Sequence, residues 1–233
     1  AWQGLSLWAM DGTTFRTPDS TNNRAHFGAQ AYASGKVASY PQVRAVSITA
    51  IPTHLVSDIA FGTYAQNEML YAKTLVGRIA DHSLTVFDRG FLSAEILLGL
   101  TLGGQERHYL IPAKSNTKWE VLSGSADDCL VRMRVSPQAR AKAPELPEHW
   151  TARAVRMVSA NGKQRVLLTS LLDRRRFKAE ALAECYRRRW EIETSYRELK
   201  QSMLGEALTL RSQQPEGIEQ EIWGALIAYN LVR

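Results

Sequence analysis

The stretch LTVFDRG, residues 84–90, decides the fold class. Its first four residues form a short apolar run, and Asp88, Arg89 and Gly90 close it at once as a charged turn. A run this short, bounded this way, reads as a buried strand. Behind it SAEILLGLTLGG, residues 93–104, reads as a helix stopped by Gly103 and Gly104. RHYLIPAK, residues 107–114, is a further strand. Alternating strands and helices predict an α/β domain.

Working outward, LSLWAMDGT (5–13) predicts a strand that ends near Asp11-Gly12, a turn dipeptide. TTFRTPDSTNNR (13–24) reads as a polar connection. QVRAVSITAI (42–51) and HLVSDIAFGTY (54–64) alternate, and the short link between them predicts a hairpin. NEMLYAKTLVGRIA (67–80) reads as an amphipathic helix. An antiparallel set followed by α/β alternation predicts a mixed sheet flanked by helices. Residues 115–172 differ. Short alternating stretches (WEVL, LVRMRV, TARAVRMVS, RVLLTSLL) stand between turn-rich links, as in a β-rich insertion. Helical patterning resumes from Phe177 to about Met203 and again after Gly217. The organisation expected is an α/β core of residues 1–114 and 173–233, interrupted by a β-rich subdomain of residues 115–172.

Lys and Arg number 29 against 23 Asp and Glu in the 233-residue chain, a net charge of +6. Residues 115–172 carry nine cations against five anions, and residues 173–200 nine against six, so the excess is concentrated there. A basic excess gathered in one region suits a polyanion such as nucleic acid. The two cysteines, Cys129 and Cys185, form no paired motif, and the histidines lack ligand spacing, which argues against a disulfide framework or a zinc site. No apolar run approaches the ~18 residues of a membrane span, and no targeting segment opens the chain. A reducing cytoplasm is the expected compartment. A chain that begins at Ala1 and ends inside a helical pattern is expected to be a piece of a longer protein.

Asp11 and Asp88 each stand where a strand is expected to end. Asp before Gly is ordinary turn chemistry, yet a carboxylate projecting from a rigid sheet can also hold a hard cation. YRRRWEIETSYRELK, residues 186–200, bears on the choice. At about 100° per residue, Tyr186, Arg189, Glu193 and Lys200 share a helix face about 60° wide. The apolar stripe beside it, with Cys185, Ile192, Tyr196, Leu199 and Met203, can pack on the sheet and bring Glu193 toward the strand ends. A surface helix laced by pairs such as Arg189 with Glu193 is the bland alternative.

The spacing Tyr186-x2-Arg189-x3-Glu193-x6-Lys200 resembles the tyrosine-arginine-glutamate-lysine signature of the bacterial insertion-sequence-four transposase family. MDGTT near the start, VFDRGF and the β-rich segment ahead of the signature are similar to that family too. The resemblance implies an RNase H-like fold and a DDE transposase that cleaves transposon ends and transfers them to target DNA. It implies that Asp11, Asp88 and Glu193 are the catalytic carboxylates and hold two divalent ions, Mg²⁺ or Mn²⁺. It also implies that Tyr186, Arg189 and Lys200 bind DNA phosphates, and that the full-length protein works as a dimer on transposon-end and target DNA. An RNase H-like nuclease or resolvase would share the carboxylates without needing the whole signature. A non-catalytic DNA-binding remnant would need neither. Lys114 and the triplets at 174–176 and 187–189 are further candidates for phosphate contact. Trp119 and Trp150 are candidates to stack on an extruded base, or else to fill the insertion's core.

Overall fold

The computed structural model describes residues 1–33, 35–158, 162–189 and 209–233. In chain order the elements are β1 (Ser6–Arg16), α1 (Thr21–Phe27), β2 (Gln42–Ala50), β3 (Val56–Thr63), α2 (Glu68–Val76), β4 (Ser83–Phe87), α3 (Ala94–Leu102), β5 (Arg107–Pro112), β6 (Glu120–Gly124), β7 (Asp128–Arg134), α4 (Pro137–Lys142), β8 (His149–Val158), β9 (Gln164–Thr169), α5 (Ala179–Arg187) and α6 (Pro215–Leu231). The strands follow the order β3-β2-β1-β4-β5-β9-β8-β7-β6. Among the described residues no helix is long and apolar enough to cross a membrane.

The chain forms two compact units, Ala1–Met10 with Val76–Arg189, and Asp11–Leu75 with residues 190–233. In the first, the opening residues of β1 run parallel to β4, and β4 runs parallel to β5. All five residues of β4 are buried, so this strand reads as a continuous apolar run, as parallel strands covered on both faces do. The crossover helix α3 packs back on β5. From β5 onward the pairing turns antiparallel, through β9, β8 and β7 to β6. The sheet is therefore mixed, as the sequence leads one to expect.

The second unit centres on the β2–β3 hairpin. Phe15, Phe27, Val43, Ala45, Ile59, Leu210, Ile218, Ile222 and Tyr229 are among the residues of its core. Helix α6 carries Ile218, Ile222, Leu226 and Tyr229 at spacings of three and four, one apolar stripe along the helix.

Three local expectations are corrected. Strand β1 does not end at Asp11-Gly12 but continues to Arg16, because Phe15, 4% exposed, is drawn into the core of the second unit. The polar connection contains helix α1. Ser20 caps it, its Oγ accepting the Asn23 amide at 3.1 Å, and the fully buried Phe27 anchors its end. Helix α4 interrupts the strands of residues 115–172. Ser136 caps it, its Oγ accepting the Ala139 amide at 3.1 Å, and Pro137 occupies its first turn.

Candidate active site

Asp88 follows directly on β4 and closes the turn that comes after it. Its Oδ2 accepts the Gly90 amide at 3.0 Å and so caps the short helical turn Arg89–Phe91. Phe91, 2% exposed, pins that turn against Phe87, with ring centroids 6.3 Å apart. The half-buried carboxylate is thus carried by a strand and a turn that are each anchored by a buried aromatic ring.

Helix α5 packs on β5 and β8. Leu182, Ala183, Cys185 and Tyr186 are its buried residues. Burial raises the Tyr186 phenol above its ordinary range, the Asp88 carboxylate raises it further, and the positive charges of Arg189 and Arg165 oppose them. The phenol therefore stays protonated at neutral pH and remains a hydrogen-bond donor. Arg189 follows one turn later, its amide donating to the Tyr186 carbonyl at 3.1 Å, and it is 8% exposed. Within this unit the structure brings Asp88, Tyr186 and Arg189 into one neighbourhood. The bland reading of an exposed helix surface does not hold for Tyr186 or Arg189, because both are buried. Sequence reasoning passed over Arg165; the only local signal is that it precedes the apolar run of β9.

Met10 and Phe87 are the last partners in the parallel register of β1 and β4. An aspartate follows each of them in the chain, Asp11 after Met10 and Asp88 after Phe87. The Asp11 Oδ1 accepts the Gly12 amide at 2.8 Å. Gly12 lies within the strand and not in a turn, with the end of the Glu68 side chain against it. A Cβ at this position would lie 2.8 Å from the carboxyl carbon of Glu68, which stands in the first turn of α2. Glu68 is a carboxylate beside Gly12 that the sequence offers only as an ordinary helix-start acid.

Glu193 and Lys200 lie outside the described residues. Lys114 is exposed just past β5, its Nζ 3.5 Å from the Leu92 carbonyl. The arginine triplets are partly engaged within the fold. Arg174 Nη2 donates to the Ser123 carbonyl at 3.1 Å, Arg176 lies over the Phe177 ring, and Arg187 bonds Glu184. Trp150 is packed with Leu98, Val135, Ala143 and Leu146, and its Nε1 donates to the Tyr109 hydroxyl at 3.4 Å, which is a packing role. Trp119 is partly buried ahead of β6.

The mixed sheet, with β1 parallel to β4 and β4 parallel to β5, defines a class of fold, and similarity to known proteins gives the family. The model of the transposase DDE domain matches residues 2–231, and the chain belongs to that family. It is 43% identical, over its whole length, to the transposase InsG for insertion sequence element IS4 of Escherichia coli K12, of which it covers 52%. It is 35% identical over 121 residues to the putative transposase InsZ of the same organism, spanning 52% of this chain and 40% of that one. The chain thus spans about half the length of the curated relatives it matches. The structure of a piggyBac transposase synaptic complex with hairpin DNA aligns with a TM-score of 0.52 at 10% identity, covering 97% of this chain and 46% of that one. At that identity the likeness speaks for the fold, which is RNase H-like.

Proposed function

We propose that this chain is the catalytic core of a DNA transposase, which cleaves DNA at the ends of its element and joins those ends to target DNA. The observation that carries the proposal is the Met10–Phe87 register, with an aspartate following each partner. In this reading Asp11, Asp88 and Glu193 hold two divalent ions, and residues 115–172 are an insertion into a core of residues 1–114 and 173–233. The donor set fits such ions. It consists of carboxylate oxygens without thiolate or imidazole, which suits Mg²⁺ or Mn²⁺ and not zinc. Among the described residues, no three acidic, His or Cys side chains gather to hold an ion, and Glu193 lies outside them. The ions, when bound, stabilise charge on the attacking and leaving oxygens of the phosphodiester.

The chain's own side chains hold the DNA. Protonated Tyr186 donates to a phosphate oxygen, Arg189 offers its planar fork, and Lys200 adds a compact charge. Water attacks phosphorus first and the O3′ bond breaks, leaving a 3′-hydroxyl. That hydroxyl then attacks a phosphate of the target and displaces a target O3′. The partners are transposon-end and target DNA, and the full-length protein acts as a dimer on them.

The test follows cleavage and joining by the full-length protein on duplexes that carry the element's ends, across a Mg²⁺ titration. Ion-dependent cleavage, together with joining of pre-cut 3′-hydroxyl ends to a target duplex, is the expected result. Cleavage without joining would instead indicate an RNase H-like nuclease or resolvase. Binding without any ion-dependent cleavage would indicate a non-catalytic remnant.

A further inference from the structure

We propose that Arg165, the second residue of β9, is a DNA-backbone contact of the site around Asp88, gripping a phosphate alongside Tyr186 and Arg189. The inference rests on reading Asp88 as a catalytic carboxylate, and it goes beyond the signature residues.

The sheet register puts Arg165 at this edge. Strands β5 and β9 are antiparallel, with Pro112 opposite Leu167 and the Ala113 amide donating to the Val166 carbonyl at 2.8 Å. One step further along the ladder, Arg165 comes opposite Lys114, just past the carboxyl end of β5. Strands β4 and β5 are parallel, with Val86 opposite Leu110, so β4 leaves the sheet toward Asp88 at the same edge. Side chains alternate along a strand, so Arg165 shares a face with the buried Leu167 two residues on, but it is exposed at the rim. Helix α5 packs on β5 and β8, the two neighbours of β9. The charge of Arg165 is the weakest of those that bear on its Tyr186.

Other arginines of this antiparallel region are matched to carboxylates. Arg132 pairs with Glu120 at 2.6 Å, Arg153 with Asp128 at 2.7 Å and Arg156 with Asp127 at 3.3 Å. An exposed guanidinium at the sheet edge where β4 leaves toward Asp88 suits an anion with several oxygens, and a DNA phosphodiester is the anion this site would meet.

The experiment measures binding of the full-length protein to a fluorescein-labelled, mixed-sequence DNA duplex by anisotropy, from about 50 to 200 mM KCl. Arg165→Ala should weaken binding about tenfold at the lower salt and reduce the slope of log K against log[KCl] by about 0.9, the loss of one phosphate contact. Arg165→Lys keeps a charge at the position and should keep the slope. Arg132→Ala, whose partner is Glu120, should leave the slope unchanged. An Arg165→Ala slope equal to the parent's overturns the inference. So does an equal loss in Arg165→Ala and Arg132→Ala, which would mean that only net charge matters. Cleavage by Asp88→Asn is measured in parallel. If that variant is inactive while Arg165→Ala keeps the slope, the inference fails and the catalytic reading stands. If it cuts at the parent rate, the catalytic reading itself fails.

Discussion

In the full-length protein assembled on its DNA ends, Glu193→Gln, Asp88→Asn and Asp11→Asn should each reduce strand cleavage by about a thousandfold or more, while end binding should stay within about twofold of the parent. Removing one anionic ligand takes several kcal/mol of charge stabilisation from the transition state, and each ~1.4 kcal/mol is tenfold in rate. The structure explains why folding should survive the two aspartate changes. Asp88 caps its turn by accepting the Gly90 amide, and Asp11 accepts the Gly12 amide. An asparagine oxygen can accept the same hydrogen bonds, so the backbone keeps its partners and only the charge is lost. Arg189→Ala should behave differently. In the proposed reading it removes a phosphate clamp and no ion ligand, so end-complex formation and rate should fall together with the ion requirement kept. Parallel assays of end-complex formation and cleavage across a Mn²⁺ titration separate the two patterns. Parent-rate cutting by Glu193→Gln would reduce Glu193 to an ion-pairing helix residue.

Arg153→Met should destabilise the protein by about 3–5 kcal/mol. Arg153 is 1% exposed and bonds both oxygens of Asp128, Nε at 2.8 Å and Nη2 at 2.7 Å, while Nη1 donates to the Phe177 carbonyl at 2.6 Å. The fork therefore ties β7 and β8 to the chain just before α5, the helix that carries Tyr186. Without it, among the described residues Asp128 keeps only Arg174 at 3.5 Å, and the Phe177 carbonyl loses this donor. Breaking the pair on one side is costly because the carboxylate of Asp128, 22% exposed, is left without its fork. Arg153→Lys keeps the charge but not the fork and should fall between the parent and Arg153→Met. Replacing both partners, Arg153→Met with Asp128→Leu, should recover part of the loss. Denaturant unfolding of the four proteins measures this. A loss below about 1 kcal/mol in Arg153→Met would mean that the network contributes little net stability.

These cases also show which parts of the molecule could be read from the chain. Strand β4 was legible because a strand buried on both faces writes itself as an unbroken apolar run, and its end was legible because Asp88, Arg89 and Gly90 are turn formers in succession. Helix α5 was legible from its periodicity, and the signature spacing singled out Tyr186 and Arg189 within one turn of each other. The continuation of β1 beyond Asp11 was not legible. Asp-Gly is a local turn signal, and it is overridden by contacts distant in sequence, Phe15 in the core of the second unit and Glu68 against Gly12. Helices α1 and α4 are short, and their capping serines look like loop residues until the helix is present. Arg165 was illegible for the same reason as β1. Its place depends on β9 pairing with β5, a register that no local pattern encodes. Glu193 and Lys200 rest on their spacing in the signature.

The most direct test of the central claim is an anomalous-scattering map at the manganese edge, from crystals of the full-length protein on cleaved DNA ends grown with Mn²⁺. Manganese peaks are expected within coordination distance, about 2.0–2.3 Å, of carboxylate oxygens from Asp11, Asp88 and Glu193 together, beside the 3′-hydroxyl of the cleaved strand. Peaks that leave out any one of the three carboxylates, or that lie away from the cleaved end, would contradict it.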